Sequence, residues 1–291
     1  MRILAATDFS TRSDRALRRA VLLARAANAS LTLVHAVDDD RPAYLIDSQR
    51  DAAATLLRET AATIADVDGV AADFAIAAGD AFAAILQASD DVNADLVVVG
   101  PHRRQLLDMF VGTTAERTIR RSRRPVLMAN AVPAGPYQRT LLALDLDAAS
   151  RSAAVAAQRL GLLGQSTLFA LHLFDAPAAG MMKRAMESPV TVDHYVGEEE
   201  RRAAAEFDAF LAELAPLRPR RLLRPARGAP ASAILASAAE LDADLIVVGT
   251  NQRKGLQRLM LGSVAQGVLV DAACDVLVVP AGGEERAPAG R

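Results

Sequence analysis

Short apolar runs alternate along this chain with longer stretches in which apolar residues recur at helical spacing. The first run, residues 3–7, ends at Asp8, and further strands are predicted near residues 31–37, 70–77, 96–99 and 125–129. The stretch after Asp8 carries apolar side chains at the i, i+3, i+4 and i+7 positions of one helix face: Leu17, Ala20, Val21 and Ala24. Strands that alternate with helices predict an α/β fold with a parallel sheet and right-handed crossovers.

The whole pattern occurs twice. Residues 94–100, which end at Gly100, match residues 243–249, which end at Gly249, and Asp8 matches Asp145 in the same way. This internal repeat predicts two copies of one domain. We place them at residues 1–130 and 138–280, with a Pro- and Gly-rich linker at 131–137 and a disordered tail at 281–291. Helices of the second copy are predicted to start near Asp147, Gly197, Pro230 and Ser263.

The second copy carries an insertion after its second strand. The spacing between equivalent residues grows from 137 to 149 between the first strand and the position that pairs Gly79 with Gly228. The extra segment contains Met181, Met182 and Met186, and it leaves the sheet at the edge where ligands bind in such folds. It is either a lid or apolar contact surface, or a loop packed on its own domain.

Composition excludes several classes of protein. Of the 291 residues 52% are hydrophobic, so each half has material for a core, and the net charge of −2 favours neither nucleic acid nor membrane as a partner. One cysteine rules out a disulfide framework, and we interpret Cys274 as structural. No apolar run approaches the roughly 20 residues that span a bilayer. With no secretory leader visible at Met1, we expect a soluble, cytoplasmic protein.

The fourth strand of each half is followed by a feature typical of anion sites. It ends at a glycine, a polar and basic loop follows, and a second glycine with a hydroxyl residue opens a helix, Gly112-Thr113 in one half and Gly262-Ser263 in the other. Ser263 is a good N-cap, and Gln266 three residues later completes a capping box. Free amides and the helix dipole at such a point suit a phosphate.

Topology predicts which residues share this site. Ligands on parallel sheets bind beyond the carboxyl ends of the strands, where the strand order reverses. If the first and fourth strands are neighbours there, Asp8 and Gly100 face one pocket, and Asp145 and Gly249 face a second.

These residues resemble the universal stress protein family in its tandem two-domain form, over nearly the whole chain to about residue 280. The resemblance implies two Rossmann-like domains of the adenine nucleotide alpha hydrolase type, each a five-stranded parallel sheet flanked by helices. Nucleotide-binding members carry Gly-x2-Gly-x9-Gly-Ser/Thr after the fourth strand. The second half keeps this spacing but has Gln252 at the middle glycine; the first half has Arg103 there and is one residue short.

The resemblance also implies the binding residues. An aspartate after the first strand lies near the ribose and base, and main-chain groups at the end of the second strand meet adenine. The nucleotide-binding set implied for the second half is Asp145, Phe174, Gly249, Gln252, Gly262, Ser263 and Val264. The set implied for the first half is Asp8, Val37, Gly100, Arg103, Gly112 and Thr113. The better-kept spacing favours the second half as the site of ATP or another adenine nucleotide, with any magnesium brought by the nucleotide.

Other candidate residues have two interpretations each. Seven arginines crowd the first glycine segment and either bind phosphate or form a solvated, salt-bridged face: Arg103, Arg104, Arg117, Arg120, Arg121, Arg123 and Arg124. His35 and His172 occupy equivalent apolar strands, which favours hydrogen-bonded core histidines over metal ligands. Asp8 and Asp145 either accept a ribose hydroxyl or cap a turn.

The sequence lacks the common catalytic motifs, which limits the functions that it predicts. The sequence has no P-loop, no dinucleotide fingerprint, no nucleophile elbow and no zinc motif, so we do not predict a defined enzyme, although weak ATP hydrolysis stays open. The leading hypothesis is a stress-response binding module whose two copies form a pseudo-dimer within the chain, with further homodimerisation open. The alternative is a structural or interaction protein with vestigial pockets, motivated by Gln252 and Arg103.

Overall fold

A computed structural model describes residues 1–40, 42–101, 114–250 and 261–281. Within these ranges the chain forms ten strands and nine α-helices. The strands are β1 (Arg2–Ala6), β2 (Ser30–Val37), β3 (Ala72–Ala78), β4 (Leu96–Val99), β5 (Val126–Met128), β6 (Arg139–Ala143), β7 (Thr167–Phe174), β8 (Arg220–Pro225), β9 (Leu245–Thr250) and β10 (Asp275–Pro280). The helices are α1 (Thr11–Ala27), α2 (Ala43–Thr63), α3 (Ala81–Asp91), α4 (Thr114–Arg121), α5 (Ala148–Arg159), α6 (Ala179–Arg184), α7 (Pro189–Glu213), α8 (Pro230–Glu240) and α9 (Ser263–Asp271).

All ten strands belong to a single sheet, in the order β3-β2-β1-β4-β5-β10-β9-β6-β7-β8. Within each half every neighbouring pair is parallel, so the predicted α/β class with two five-stranded parallel sheets is confirmed. The halves join through β5 and β10, which pair antiparallel with Leu277 opposite Leu127. The two predicted domains therefore share one continuous sheet.

Helices cover both faces of this sheet. On one face α1, α2, α5 and α7 bury apolar side chains such as Ala20, Leu57, Ala157 and Phe207. On the other face α3, α4, α8 and α9 bury residues such as Ile85, Ile119 and Val268. Each core runs across both halves, because the sheet beneath it is continuous. None of the helices in the described ranges combines the length and apolar character that a membrane crossing needs.

A buried ion pair fastens the two halves together. Arg19 of α1 donates from Nε to Oδ2 of Asp275 in β10 at 2.9 Å, and the side chains are 5% and 0% exposed. The hydroxyl of Tyr137 also donates to Asp275 at 2.7 Å, and the amide of Ala131 donates to its other oxygen at 3.0 Å. Arg19 further donates to the carbonyl of Gly135 at 2.7 Å. Every carboxylate oxygen of Asp275 thus has a donor.

The insertion in the second half is helical, which corrects the expectation of a loop. It forms α6 and the first part of α7, and α7 begins at Pro189 instead of near Gly197. Ser188 accounts for that start, because its side chain accepts a hydrogen bond from the amide of Thr191 at 3.1 Å. Met186 is 93% exposed in the turn between the two helices.

Candidate functional site

The strand order reverses at the same place in both halves. β1 lies between β2 and β4, and β6 lies between β7 and β9, so each half has a switch point beside its first strand. Asp8 and Gly100 lie beyond the carboxyl ends of β1 and β4. In the second half Asp145 lies beyond β6, and Gly249 is the last residue but one of β9. The predicted adjacency of the first and fourth strands is confirmed in each half.

The first switch point opens into a cavity of about 380 Å³. Its volume falls in the range of roughly 300–1,000 Å³ typical of small-molecule sites. Side chains of both signs line it, among them Asp8, Arg12, His35 and Arg117. The cavity therefore offers polar groups of several kinds around a partly apolar floor.

Asp8 is fixed at the cavity by a local hydrogen-bonded turn. Its Oδ1 accepts from the amide of Ser10 at 3.0 Å, and its own amide donates to Oγ of Ser13 at 3.3 Å. Burial by itself raises the pKa of Asp8, but hydrogen bonds with Ser10 and Ser13 outweigh it and place the pKa below its ordinary value. Asp8 is thus an ionised hydrogen-bond acceptor with one oxygen held by the turn.

The equivalent turn of the second half carries an extra acid. Asp147 takes the place of Ser10 and caps α5, accepting from the amide of Ser150 at 2.8 Å. Partial burial, followed by the nearby Asp147 carboxylate, raises the pKa of Asp145, and His172 offsets part of this effect. The turn after β6 thus carries two carboxylates, whereas the turn after β1 carries one. The second carboxylate makes the second-half turn less favourable to a bound anion.

The two histidines are oriented in the same way. Nδ1 of His35 lies 2.9 Å from the carbonyl of Thr7, and Nδ1 of His172 lies 3.0 Å from the carbonyl of Leu144. A carbonyl only accepts, so Nδ1 carries the hydrogen and Nε2 is free to accept in the neutral ring. The predicted hydrogen-bonded histidines are confirmed, and His35 additionally lines the cavity.

Gly100 and Gly249 are required by close packing against a neighbouring helix. A Cβ on Gly249 would lie 2.6 Å from the carbonyl oxygen of Ala149, and one on Gly100 would lie 3.0 Å from that of Arg12. The carboxyl end of β4 or β9 and the first turn of α1 or α5 therefore approach more closely than a side chain permits. This role exists whether or not a phosphate binds.

The N-cap of α9 differs from the sequence prediction, whereas the predicted helix start near Ser263 agrees with the structure. Gly262 is the N-cap, with no side-chain capping bond, and Ser263 is the first helical residue, so the predicted Ser263 capping box is wrong. Gln266 continues the helix by donating its amide to the carbonyl of Gly262 at 2.9 Å. Val264 follows Ser263 in the first turn and packs on the core.

The ends of the second strands are largely buried. Val37 is 3% exposed and Phe174 is 5% exposed. Their carbonyls accept hydrogen bonds from the amides of Gly79 at 2.9 Å and Ala226 at 2.7 Å. In the first half Ala36, the residue before Val37, lines the cavity. Five of the predicted loop residues lie outside the described ranges: Arg103, Arg104, Gly112, Thr113 and Gln252.

Two further groups bear on chemistry. Burial, with a contribution from the Asp275 charge, raises the pKa of Cys274 to about 12, so its thiol stays protonated near neutral pH. The described residues contain no cluster of three or more His, Cys, Asp or Glu side chains suited to a metal ion.

The sequence model of the universal stress protein family matches residues 1–130 and again residues 136–280. The chain belongs to the universal stress protein family. Two successive matches make it a tandem universal stress protein, as the repeat predicts. The finer domain boundaries drawn from the sequence stay a prediction.

Curated relatives carry the same family name. Universal stress protein A homolog 1 of Coxiella burnetii is 30% identical over 144 residues, which covers 49% of this chain and 96% of that protein. A universal stress protein of Methanocaldococcus jannaschii is 52% identical over 52 residues, 18% of this chain. The chain spans only 31% of the length of that second relative.

Solved structures match over nearly the full length. A universal stress protein from Archaeoglobus fulgidus superposes with a TM-score of 0.67 at 20% identity, covering 96% of this chain and 98% of its own. A putative universal stress protein from Pseudomonas aeruginosa gives a TM-score of 0.65 at 21% identity, covering 96% and 92%. At these identities the likeness establishes the shared tandem fold.

One cavity-lining residue was not among the residues predicted from the sequence. Arg12 lines the cavity from the first turn of α1, outside the glycine motif and outside the arginine-rich segment. A comparison of the two halves could have singled it out, because the equivalent residue of the second half is Ala149. Arg117 is one of the seven arginines predicted near the first glycine segment, and the structure shows that it lines the cavity.

Proposed function

We propose that this tandem universal stress protein binds an adenine nucleotide such as ATP in the cavity of its first half. The observation that carries the proposal is the 380 Å³ cavity at the first switch point, where Asp8 meets Gly100 and two arginines. Its location matches the general rule for ligands on parallel sheets. In the family pattern the aspartate accepts from the ribose, and Asp8 has an oxygen left for that bond.

Charge favours the first half over the second, although the glycine spacing favours the second. Among the described cavity-lining residues Asp8 is the one carboxylate, and Arg12 and Arg117 bring two positive charges, one of which is balanced by the ion pair with Asp80. The equivalent positions of the second half bring Asp145 and Asp147. A polyphosphate carries several negative charges, so the first half is the better host.

We further propose that the nucleotide acts as a bound ligand and that the chain works as a cytoplasmic binding module in a stress response. Neither nucleic acid nor membrane is proposed as a partner, since the charges are nearly balanced. The pairing of β5 with β10 supports the pseudo-dimer, because it occupies an edge strand that each half would otherwise leave open.

The matched aspartates provide the test. Mass spectrometry of small molecules released from the purified protein, and titration calorimetry with ATP, measure binding to the full chain. Asp8→Ala should weaken ATP binding by about tenfold, the value of a lost charge-assisted hydrogen bond, whereas Asp145→Ala should leave it unchanged.

Four results would redirect the proposal. Equal losses in both variants would place a nucleotide site in each half, and a loss only in Asp145→Ala would move the site to the second half. Absence of both retained nucleotide and binding heat would favour the interaction protein with vestigial pockets. ATP turnover that disappears in Asp8→Ala would make the protein an enzyme.

A further inference from the structure

Arg117 lines the first-half cavity, and its guanidinium is held by Asp80 and Phe82, which lie beside the residues that line the cavity. Its Nη1 donates to Oδ2 of Asp80 at 2.8 Å, and its guanidinium carbon lies 3.8 Å from the centre of the Phe82 ring. A guanidinium carries five N–H donors in one plane, so the bond to Asp80 leaves donors for another acceptor. The stacking on Phe82 limits the motion of the group and lowers the entropy lost on binding.

Arg12 lines the same cavity from the first turn of α1. It is half-buried, and among the described residues it makes no hydrogen bond or ion pair. Three other arginines of α1 each have an acceptor: Arg15 the carbonyl of Asn130, Arg18 the carboxylate of Asp14, and Arg19 that of Asp275. Arg12 is not among the buried polar groups that lack a hydrogen bond, so an anion in the cavity can pair with its guanidinium without first displacing a described partner.

The second half lacks both groups. Ala149 stands where Arg12 stands, and Gly267 stands where Arg117 stands. A Cβ on Gly267 would lie 2.6 Å from Cβ of Ala231, so a larger side chain does not fit there without a shift. The copies share a fold, and the arginine pair is therefore not needed for folding of the unit.

We propose that Arg12 and Arg117 bind the phosphates of the nucleotide and make the first-half cavity selective for phosphorylated ligands. The proposal rests on nucleotide binding by this cavity. The arginines supply charge-assisted hydrogen bonds where the family pattern uses close backbone approach at a middle glycine, which this half lacks. Affinity should rise from adenosine to AMP to ATP as more acceptors are added.

The test compares ligands and variants by titration calorimetry on the full chain. Wild type, Arg12→Ala, Arg117→Ala and Arg117→Lys are titrated with ATP, AMP and adenosine. Each alanine variant should lose about tenfold or more in ATP affinity and keep its adenosine affinity within about twofold. Arg117→Lys should bind ATP better than Arg117→Ala, because the charge remains while the planar fork is lost.

Arg121→Ala is the matched control. Arg121 carries the same charge on the same helix and lies over the same Phe82 ring at 4.9 Å, but it is exposed and outside the cavity. It should bind ATP like wild type. Thermal unfolding of each variant checks the fold, and Arg12→Ala, in the first turn of a long helix, provides the second measurement if Arg117→Ala unfolds.

The possible outcomes distinguish a failure of the arginine proposal from a failure of nucleotide binding itself. If wild type binds ATP and adenosine equally, or if Arg12→Ala and Arg117→Ala bind ATP like wild type, the arginine pair is overturned and nucleotide binding stands. An equal loss of ATP affinity in Arg121→Ala would show that any positive charge near the cavity has this effect. That result would also overturn the specific role of Arg12 and Arg117. If wild type binds neither ligand, both proposals fail.

Discussion

At the scale of single residues, the glycines at the strand ends are explained by packing. Gly100 and Gly249 permit the fourth strand of each half to touch the first turn of a helix, and the site beyond that contact depends on the approach. A motif that looks like phosphate recognition in the sequence is thus also a packing requirement. This explains why both copies keep the first glycine while the middle position has changed to Arg103 and Gln252.

Gly249→Ala should destabilise the protein by about 1–3 kcal/mol, because the added methyl meets backbone atoms that cannot rotate away. Gly197→Ala, in the interior of α7 with nothing within 4 Å, should instead stabilise it by about 0.5–1 kcal/mol. Urea unfolding of both variants measures the difference. A neutral Gly249→Ala would remove the packing explanation.

At the scale of elements, the sequence predicts the strands well and the helix caps and starts less well. The prediction of a strand at residues 96–99 agrees with β4 in the structure. A run of four apolar, mostly β-branched residues is typical of a buried strand. The predicted N-cap of α9 is off by one residue because Gly262 and Ser263 are both acceptable caps, and only the backbone path decides between them. The start of α7 was missed because Ser188 lies inside an insertion that has no counterpart in the first half.

Substitution by alanine should affect stability differently at Ser188, which caps a helix, and at Ser263, which does not. Ser188→Ala should cost about 1 kcal/mol, because the amide of Thr191 loses its acceptor. Ser263→Ala should change the free energy of unfolding by less than about 0.5 kcal/mol, because Ser263 is not the cap. Chemical denaturation of the two variants measures both values. A larger loss in Ser263→Ala would restore the capping box.

At the scale of the whole molecule, we expect the two halves to unfold as one cooperative unit. The β5–β10 pairing and the Arg19–Asp275 ion pair both cross the boundary. The ion pair joins residues that are 256 positions apart in the chain. The local sequence around neither Arg19 nor Asp275 predicts this contact. The repeat and the switch-point rule predicted where Asp8 and Gly100 meet, whereas contacts unique to one half, such as Arg19 and Arg117, required the three-dimensional arrangement.

Asp275→Ala should destabilise the protein by about 3–5 kcal/mol, because it leaves the buried charge of Arg19 without its carboxylate. Asp14→Ala, which removes the partner of the exposed Arg18, should cost less than about 1 kcal/mol. Calorimetry should show one cooperative transition for wild type. Two separate transitions in wild type would contradict a single folding unit.

The central claim is that duplication produced two similar switch points and that the first of them is the nucleotide site. A crystal structure grown with a non-hydrolysable ATP analogue tests it most directly. We predict one analogue per chain, in the first-half cavity, with the ribose at Asp8 and the phosphates beside Arg12 and Arg117. An analogue bound only at Asp145, or an empty first-half cavity at saturating concentration, would contradict the account.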